Sequence, residues 1–269
     1  MSAPERWKNF LTQIESRHDA ILAESFAQAQ TVLAGSLFDV SALMVSLGAI
    51  RLRLQELETR IIDTWNEKVE ATFEAEGIPH EEEALARREG ELLGRSLERK
   101  REKLEPYVLA GAARRLQEIA LTSRPRFTCA SCGASHDPTL PFRAVALRCP
   151  QCGVSGLFEP GPLLRQVEAT GAHAIAWVES EPEWNAMKDV EDLLHDTRPP
   201  APLELLLAYE AAQIAYYSSY FSAQGRFVPE VARDVDKFVR SRLETWYTMS
   251  AEHEENWRAA GRPRKLPPP

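Results

Sequence analysis

The sequence predicts a mainly α-helical fold, with one small inserted β module between two helical regions. Apolar residues recur every three or four positions over most of the chain, which is typical of amphipathic helices. All four cysteines lie between positions 129 and 152. Hydrophobic residues make up 44% and charged residues 27% of the 269 residues, as in an ordinary globular protein.

These observations predict four regions. A helical hairpin, bundle or coiled-coil region is expected at 1–123, and a C-terminal helical region at 163–261. Between them lies the segment that we call the cysteine module, residues 124–162. The tail at 262–269 is basic and rich in proline, so we expect it to be disordered.

The first two helices are predicted to form a hairpin. The first covers residues 4–34 and ends at Gly35, and Asp39 or Ser41 is expected to cap the second. In the second helix, apolar residues in steps of four and three form a heptad seam. The seam consists of Leu43, Leu47, Ile50, Leu54, Leu57 and Ile61. We expect it to pack on the first helix, or alternatively on a second copy of the chain in a dimer.

His18 falls on the apolar stripe of the first helix, three residues after Glu15. This spacing is half of the motif that holds two metal ions in ferritin-like bundles, but the chain has no second copy of it. We therefore interpret His18 as a core residue with a satisfied hydrogen bond, not as a metal ligand.

A third helix is predicted to open at Glu81 and to break or kink at Pro106, with a last segment at 107–121. It carries a basic run interleaved with glutamates at helical spacings. The basic residues are Arg95, Arg99, Lys100, Arg101 and Lys103. We interpret the run as a solvated face whose charges pair within the helix, with a nucleic-acid surface as the alternative.

The cysteines form two C-x-x-C pairs, Cys129 with Cys132 and Cys149 with Cys152, separated by 16 residues. Such spacing is typical of four thiolates that surround one divalent ion. Two intervening residues allow one tight turn to present both sulfurs, and the glycine after each pair suits a sharp turn. The four cysteines are therefore predicted as metal ligands, with one structural zinc ion preferred. Iron and two disulfides are the alternatives.

The residues around the pairs predict short strands, because apolar residues alternate at 127–129 and 145–149. Only eight large apolar residues lie between Pro125 and Pro162. A unit below about 40 residues rarely folds without a metal or disulfides, so the ion is predicted to replace the missing core. We interpret His136 as a solvated loop residue and not as a fifth or substitute ligand, since four thiolates complete the shell.

Residues 125–160 resemble the zinc-ribbon family and, more loosely, the rubredoxin-like group. The resemblance implies a three-stranded ribbon around one tetrahedral ion, held by the same four cysteines. Rubredoxins usually place aromatic residues beside their cysteine pairs. This chain has Ala134 and Leu147 there, which favours zinc over iron.

After the module, helices are predicted at 163–179, 181–195, 203–223 and 228–260, with a stiff proline-rich connector before the third. The third of these helices carries two adjacent stripes. A core stripe contains Leu203, Leu207, Ile214, Tyr217 and Phe221, and a second stripe contains Tyr209, Tyr216 and Tyr220. We interpret it as a helix buried on two sides, with a ligand or partner groove as the alternative.

The charge and hydropathy of the chain limit the classes of partner that it is expected to bind. The formal net charge is −8, without the strongly basic footprint of a typical nucleic-acid binder. We see no secretory signal and no apolar stretch of about 20 residues, so we expect a cytoplasmic protein without membrane contact. A reducing compartment also suits thiols that are bound to a metal.

Three functions fit these observations. The first is a non-enzymatic zinc-binding interaction or scaffold protein that binds a protein partner or itself. The second is nucleic-acid binding through Arg124, Arg126, Arg143 and Arg148. The third is a redox protein or an enzyme with a site in the helical region. The Walker loop and the G-x-G-x-x-G, G-x-S-x-G and H-E-x-x-H motifs do not occur, and we single out no catalytic residue.

Overall fold

The computed structural model describes residues 1–123, 126–138, 142–198, 200–249 and 261. It confirms the mainly α-helical fold class with a small inserted β region, which consists of two-stranded antiparallel sheets. Arg124, the predicted helix beyond residue 249 and the tail at 262–269 lie outside the described residues. The chain packs as two compact units, Met1–Ala112 and Ala113–Pro269. No helix in the described part of the chain has an apolar stretch long enough to cross a bilayer.

The first unit begins with helices α1 (Ala3–Gly35) and α2 (Ser41–Thr64), which pack against each other as the predicted hairpin. The N-cap of α2 is Val40, which makes no side-chain capping bond, so the prediction of Asp39 or Ser41 as the cap is wrong. The Asp39 carboxylate, one residue earlier, accepts a hydrogen bond from the Ser41 N–H at 2.9 Å. All residues of the predicted seam are buried except Ile50, which is half-buried. The seam therefore contributes to the core of this unit.

A π-helical turn at Trp65–Val69 separates α2 from the short helix α3 (Glu70–Ala75). A π turn holds more residues than an α turn and shifts the side chains that follow it. Trp65 packs edge-on against Trp7, with ring centroids 5.2 Å apart, and lies 5.5 Å from Phe73. The seam thus ends in an aromatic cluster, at the point where the apolar spacing in the sequence becomes less regular.

Helix α4 (His80–Ser123) continues through Pro106 without the predicted break, and the kink that was the other form of this prediction stays a prediction. A proline inside a helix removes a hydrogen bond and costs about 3 kcal/mol. Packing on both sides of the proline offsets this cost, because Leu104, Val108 and Leu109 are all buried.

Two basic side chains of α4 form ion pairs with other helices. The prediction that they pair within α4 is therefore wrong for Lys100 and incomplete for Arg101. The Lys100 ammonium lies 2.9 Å from Asp19 of α1. The Arg101 guanidinium lies 2.8 Å from Glu58 of α2 and 3.3 Å from Glu98 of its own helix. These pairs attach α4 to the hairpin and complete a three-helix bundle.

His18 is fully buried, and its Nε2 lies 3.3 Å from Glu58 Oε1. Glu15, the other member of the predicted half-motif, lies 3.4 Å from the Lys100 ammonium instead. His18 is therefore a core residue, as predicted, but it is only partly satisfied, because its buried Nδ1 has no hydrogen-bond partner in the described part of the chain.

We expect Gly90→Ala to destabilise the first unit, although alanine is favoured over glycine in helices by about 1 kcal/mol. An added Cβ would lie 2.6 Å from Trp7 Cζ2 and 3.3 Å from Ile61 Cγ2. Because Trp7 is buried, we expect a net loss of about 1–3 kcal/mol in the free energy of unfolding, measured by urea denaturation. Gly94→Ala in the same helix is the control, since nothing lies within 4 Å of its added Cβ. Equal effects of the two substitutions would contradict this packing.

In the second unit, the cysteine module forms two separate hairpins in place of the three-stranded ribbon that the resemblance implied. Strand β1 (Phe127–Thr128) pairs with β2 (Ser135–His136), and β3 (Val145–Arg148) pairs with β4 (Ser155–Phe158). Each C-x-x-C turn closes its own antiparallel hairpin, and within the described residues no strand bridges the two.

The C-terminal helices follow the module. Helices α5 (Pro162–Gln166) and α6 (Ala172–Glu179) are joined by a π-helical turn at Val167–Gly171, so the predicted helix at 163–179 contains a π turn. Helices α7 (Glu181–Asp196) and α8 (Leu203–Gly225) then pack together and form the main core of this unit.

Helix α8 packs into the core with both predicted stripes, but only the tyrosine side is fully buried, so the interpretation as a helix buried on two sides is confirmed for that side alone. The tyrosine stripe is the more deeply buried of the two. Most residues of the predicted core stripe, including Leu207 and Tyr217, are half-buried.

The predicted helix at 228–260 is divided into α9 (Pro229–Ala232) and α10 (Val235–Met249). The division has a local cause. Asp234 accepts a hydrogen bond from the Lys237 N–H at 3.1 Å and thereby caps the start of α10.

The module is attached to the C-terminal helices by an aromatic contact and an arginine. The ring centroids of Phe142 and Phe227 lie 5.8 Å apart. The Arg143 guanidinium lies 3.1 Å from the Glu168 carboxylate and 2.8 Å from that of Glu230. These contacts hold the module against α9 and the π turn before α6.

Candidate metal centre

Each cysteine pair lies in a turn with the same hydrogen bonds. In the first turn, the Cys129 N–H donates to Ala134 O at 2.8 Å and the Gly133 N–H donates to Cys129 O at 2.9 Å. In the second, the Cys149 and Gly153 N–H groups make the equivalent bonds, both of 2.9 Å. The two glycines have φ values of 71° and 74°, a left-handed conformation that explains why glycine follows each pair.

The two turns bring all four cysteine sulfurs within 4.8 Å of one another. Cys129 Sγ lies 3.5 Å from Cys152 Sγ, and Cys132 Sγ lies 3.6 Å from Cys149 Sγ. All four are free thiols. Four sulfurs at about 2.3 Å from a central ion would lie about 3.8 Å apart, so the arrangement fits a tetrahedral ion. The predicted ligands thus converge on a site that can hold a metal ion.

The thiols influence one another's ionisation. The Cys132 N–H makes the largest contribution to lowering the pKa of Cys129. The Cys152 N–H likewise makes the largest contribution at Cys149, where several hydrogen bonds together lower the pKa to about 6. At Cys132 the Ala134 N–H acts in the same direction, but contacts with the thiols of Cys152 and Cys149 outweigh it and raise the pKa to about 12. A bound cation would reverse this repulsion and stabilise all four thiolates.

His136 is half-buried in β2, so its interpretation as a solvated loop residue is wrong. Its Nε2 lies 3.3 Å from Cys149 Sγ, and its ring stacks against Phe127 with centroids 6.4 Å apart. This side chain also contributes to lowering the pKa of Cys149. Because a thiolate can only accept hydrogen bonds, Nε2 is the donor when Cys149 is ionised.

The position of His136 could have been found from the sequence. The hydrogen bonds of the first turn join Cys129 to Ala134. Counting outward from this pair in an antiparallel hairpin places His136 opposite Phe127, which is the observed register. In the second hairpin the same count pairs Leu147 with Gly156, which is also observed.

The interior of the module is very small. Its buried cluster consists of Phe127, Cys129, Cys149 and Phe158, so two of its four members carry the sulfurs. Gly156 allows the close approach of Phe127, because an added Cβ there would lie 2.6 Å from the ring. Segments of about 40 residues with so few buried apolar side chains rarely fold without a metal or disulfides.

The three described arginines of the predicted nucleic-acid surface all have partners within the protein. Arg126 lies 3.0 Å from Asp137, and the Arg148 Nε donates to Gly153 O at 3.1 Å. Arg143 pairs with two carboxylates of the C-terminal helices. Each of these three guanidinium groups is therefore already engaged within the protein.

Comparison of the chain with protein-family models, curated proteins and solved structures found no significant match.

Proposed function

We propose that this protein is a non-enzymatic, cytosolic zinc-binding scaffold or interaction protein in which one zinc ion has a structural role. The ligands are Cys129, Cys132, Cys149 and Cys152. The convergence of their sulfurs within 4.8 Å carries the proposal. A closed set of four thiolates leaves no open coordination position for a substrate, and soft thiolate ligands in a tetrahedral arrangement suit zinc.

Uncovered apolar side chains support an interaction role. On α2, Val45 is 85% exposed and Leu52 is 59% exposed. On α4, Leu85 is 67% exposed and Leu92 is 48% exposed. Each pair is seven residues apart and so lies on one helix face, where a protein partner or a second copy of the chain would cover it.

Metal analysis and association measurements test this proposal. Elemental analysis of the purified protein should give one equivalent of zinc. Protein that contains iron, or no metal, would contradict the proposed role of the module. Light scattering after size exclusion, together with pull-downs, should reveal self-association or a partner that Val45→Gln combined with Leu52→Gln removes. A strictly monomeric protein without a partner would contradict the interaction role and leave the metal role standing.

Nucleic-acid binding has weaker support, because Arg126, Arg143 and Arg148 are engaged within the protein. If it occurs, phosphate contacts would make the affinity fall steeply with salt. A mobility shift with DNA or RNA at low salt that disappears at higher salt would favour this alternative over the scaffold role.

We expect His136→Phe to weaken metal retention without removing the ion. The substitution keeps the four sulfurs and the ring contact with Phe127, but it removes the hydrogen bond to Cys149. Loss of a partner that orients a ligand typically costs about 10–100-fold in metal affinity. Competition with a chromogenic chelator measures this change. His80→Phe is the matched control, since the His80 side chain is 92% exposed. An unchanged affinity in His136→Phe would exclude a role for this hydrogen bond.

A further inference from the structure

The π turn at Trp65–Val69 borders a cavity that is unrelated to the cysteine module. The cavity has a volume of about 220 Å³ and lies between the start of α1 and the helical segment around the π turn. Its apolar wall includes Trp7, Phe10 and Val69. An apolar cavity of about 150 Å³ is large enough for a benzene ring, so this one can hold a small organic molecule.

The aromatic wall is fixed in place before any ligand binds. Trp7 and Phe10 are stacked, with ring centroids 5.4 Å apart and planes 18° from parallel. The Trp7 indole N–H donates to Ala86 O at 2.8 Å, which holds the ring in one orientation. A rigid aromatic surface binds flat or extended apolar groups at little entropic cost.

The charged side chains that line the cavity all carry the same sign. The charged residues that line it, Arg6 and Lys68, are both cationic, although the chain as a whole carries a formal net charge of −8. Arg6 is already paired with Glu76. Lys68 is exposed and has no acidic partner among the described residues, so its ammonium group is free to bind a ligand.

The π turn also contains a buried hydrogen-bond donor, the Trp65 indole N–H, that has no acceptor in the described part of the chain. Trp65 is 3% exposed, and an unsatisfied buried donor costs about 1–3 kcal/mol. Trp65 is not one of the residues that line the cavity, so this donor does not contact it. The π turn itself borders the cavity, and π turns are frequent at functional positions.

We propose that this cavity binds an amphipathic monocarboxylate, a small organic acid whose ring or short acyl chain lies against Trp7 and Phe10. Its carboxylate pairs with the Lys68 ammonium at the rim. This inference does not depend on the proposed metal-binding function, because every residue that carries it lies in the first unit.

Isothermal titration of the full-length protein with benzoate and hexanoate tests the site, with the neutral amides benzamide and hexanamide for comparison. The acids should bind about tenfold more tightly than the amides, since only the acids gain a charge-assisted bond to Lys68. Lys68→Gln should remove this preference and leave the weaker amide binding unchanged. Val69→Trp should block all four compounds by filling the cavity.

Lys237→Gln is the matched control, because Lys237 is an exposed lysine of α10 in the other unit. It should bind all compounds as the wild type does. Circular dichroism checks that each variant is folded. If Val69→Trp does not fold, the Lys68→Gln variant alone tests the proposal, because it changes an exposed residue. Equal affinities for acids and amides, an unchanged preference in Lys68→Gln, or no binding of any compound would each overturn the proposal.

Discussion

Replacing Cys149 and Cys152 by serine is expected to remove the metal ion and to unfold the cysteine module. Each hydroxyl is a poor substitute for a thiolate, and two of the four proposed ligands are lost. Structural zinc contributes an apparent free energy of about 10–16 kcal/mol to small domains of this type. The buried cluster of the module contains only two phenylalanines besides Cys129 and Cys149, so little remains to hold the hairpins together.

Metal content and hydrogen exchange measure these two consequences separately. The double variant should contain no zinc, and the amides of β1 to β4 should exchange at the rates of an unfolded chain. Ser131→Ala is the control, because it changes an exposed residue of the first turn and keeps every sulfur. Protected amides in a metal-free double variant would show that the module folds without an ion.

The second large effect is expected in the helical bundle, where Glu58→Gln should destabilise the first unit by about 3 kcal/mol. Glu58 and Arg101 side chains are only 10% and 12% exposed, and His18 is fully buried beside them. The introduced amide would have nearly the same shape as the carboxylate but no charge, so the guanidinium of Arg101 would lose its closest counter-ion. Hydrogen exchange of the amides in α1 and α2 measures the loss. Glu56→Gln, at an exposed site of α2, should change little.

Glu58 also makes the stability of the helical bundle depend on pH. Burial alone would raise the pKa of Glu58, but hydrogen bonds from His18 and Arg101 outweigh it and leave the pKa below its usual value. A carboxyl group whose pKa is lower in the folded state stabilises the fold above its unfolded-state pKa, and this contribution disappears as the pH falls through the folded-state value. The stability difference between wild type and Glu58→Gln should therefore shrink below about pH 4. A constant difference down to about pH 2 would contradict this assignment.

The features that depend on neighbouring residues were predictable from the sequence. The cysteine turns depend on residues at most five positions apart, so the C-x-x-C-G pattern determines their backbone bonds. The seam of α2 was predictable for a similar reason, because a repeat of about 3.5 residues places its apolar residues on one face. The position of His136 opposite Phe127 also follows from the turn, because the hairpin register continues outward from it.

The features that depend on how elements pack were not predictable from one sequence. The partners of Lys100 and Arg101 follow from the rotation of α4 against α1 and α2, which spacing within α4 does not define. Pro106 is tolerated because buried neighbours compensate for its missing bond, and propensity alone does not report this compensation. The apolar spacing of the sequence likewise does not report the π turns at Trp65–Val69 and Val167–Gly171.

The attachment of the module to the C-terminal helices has a thermodynamic consequence. Arg143 and Phe142 couple the module to Glu168, Glu230 and Phe227, so the hairpins and these helices share part of their folding free energy. An ion that binds only the folded module would then also shift the unfolding midpoint of the helices, by an amount that grows with the logarithm of the free ion concentration. Through this linkage, helices that supply no ligand would report the occupancy of the site through their thermal stability.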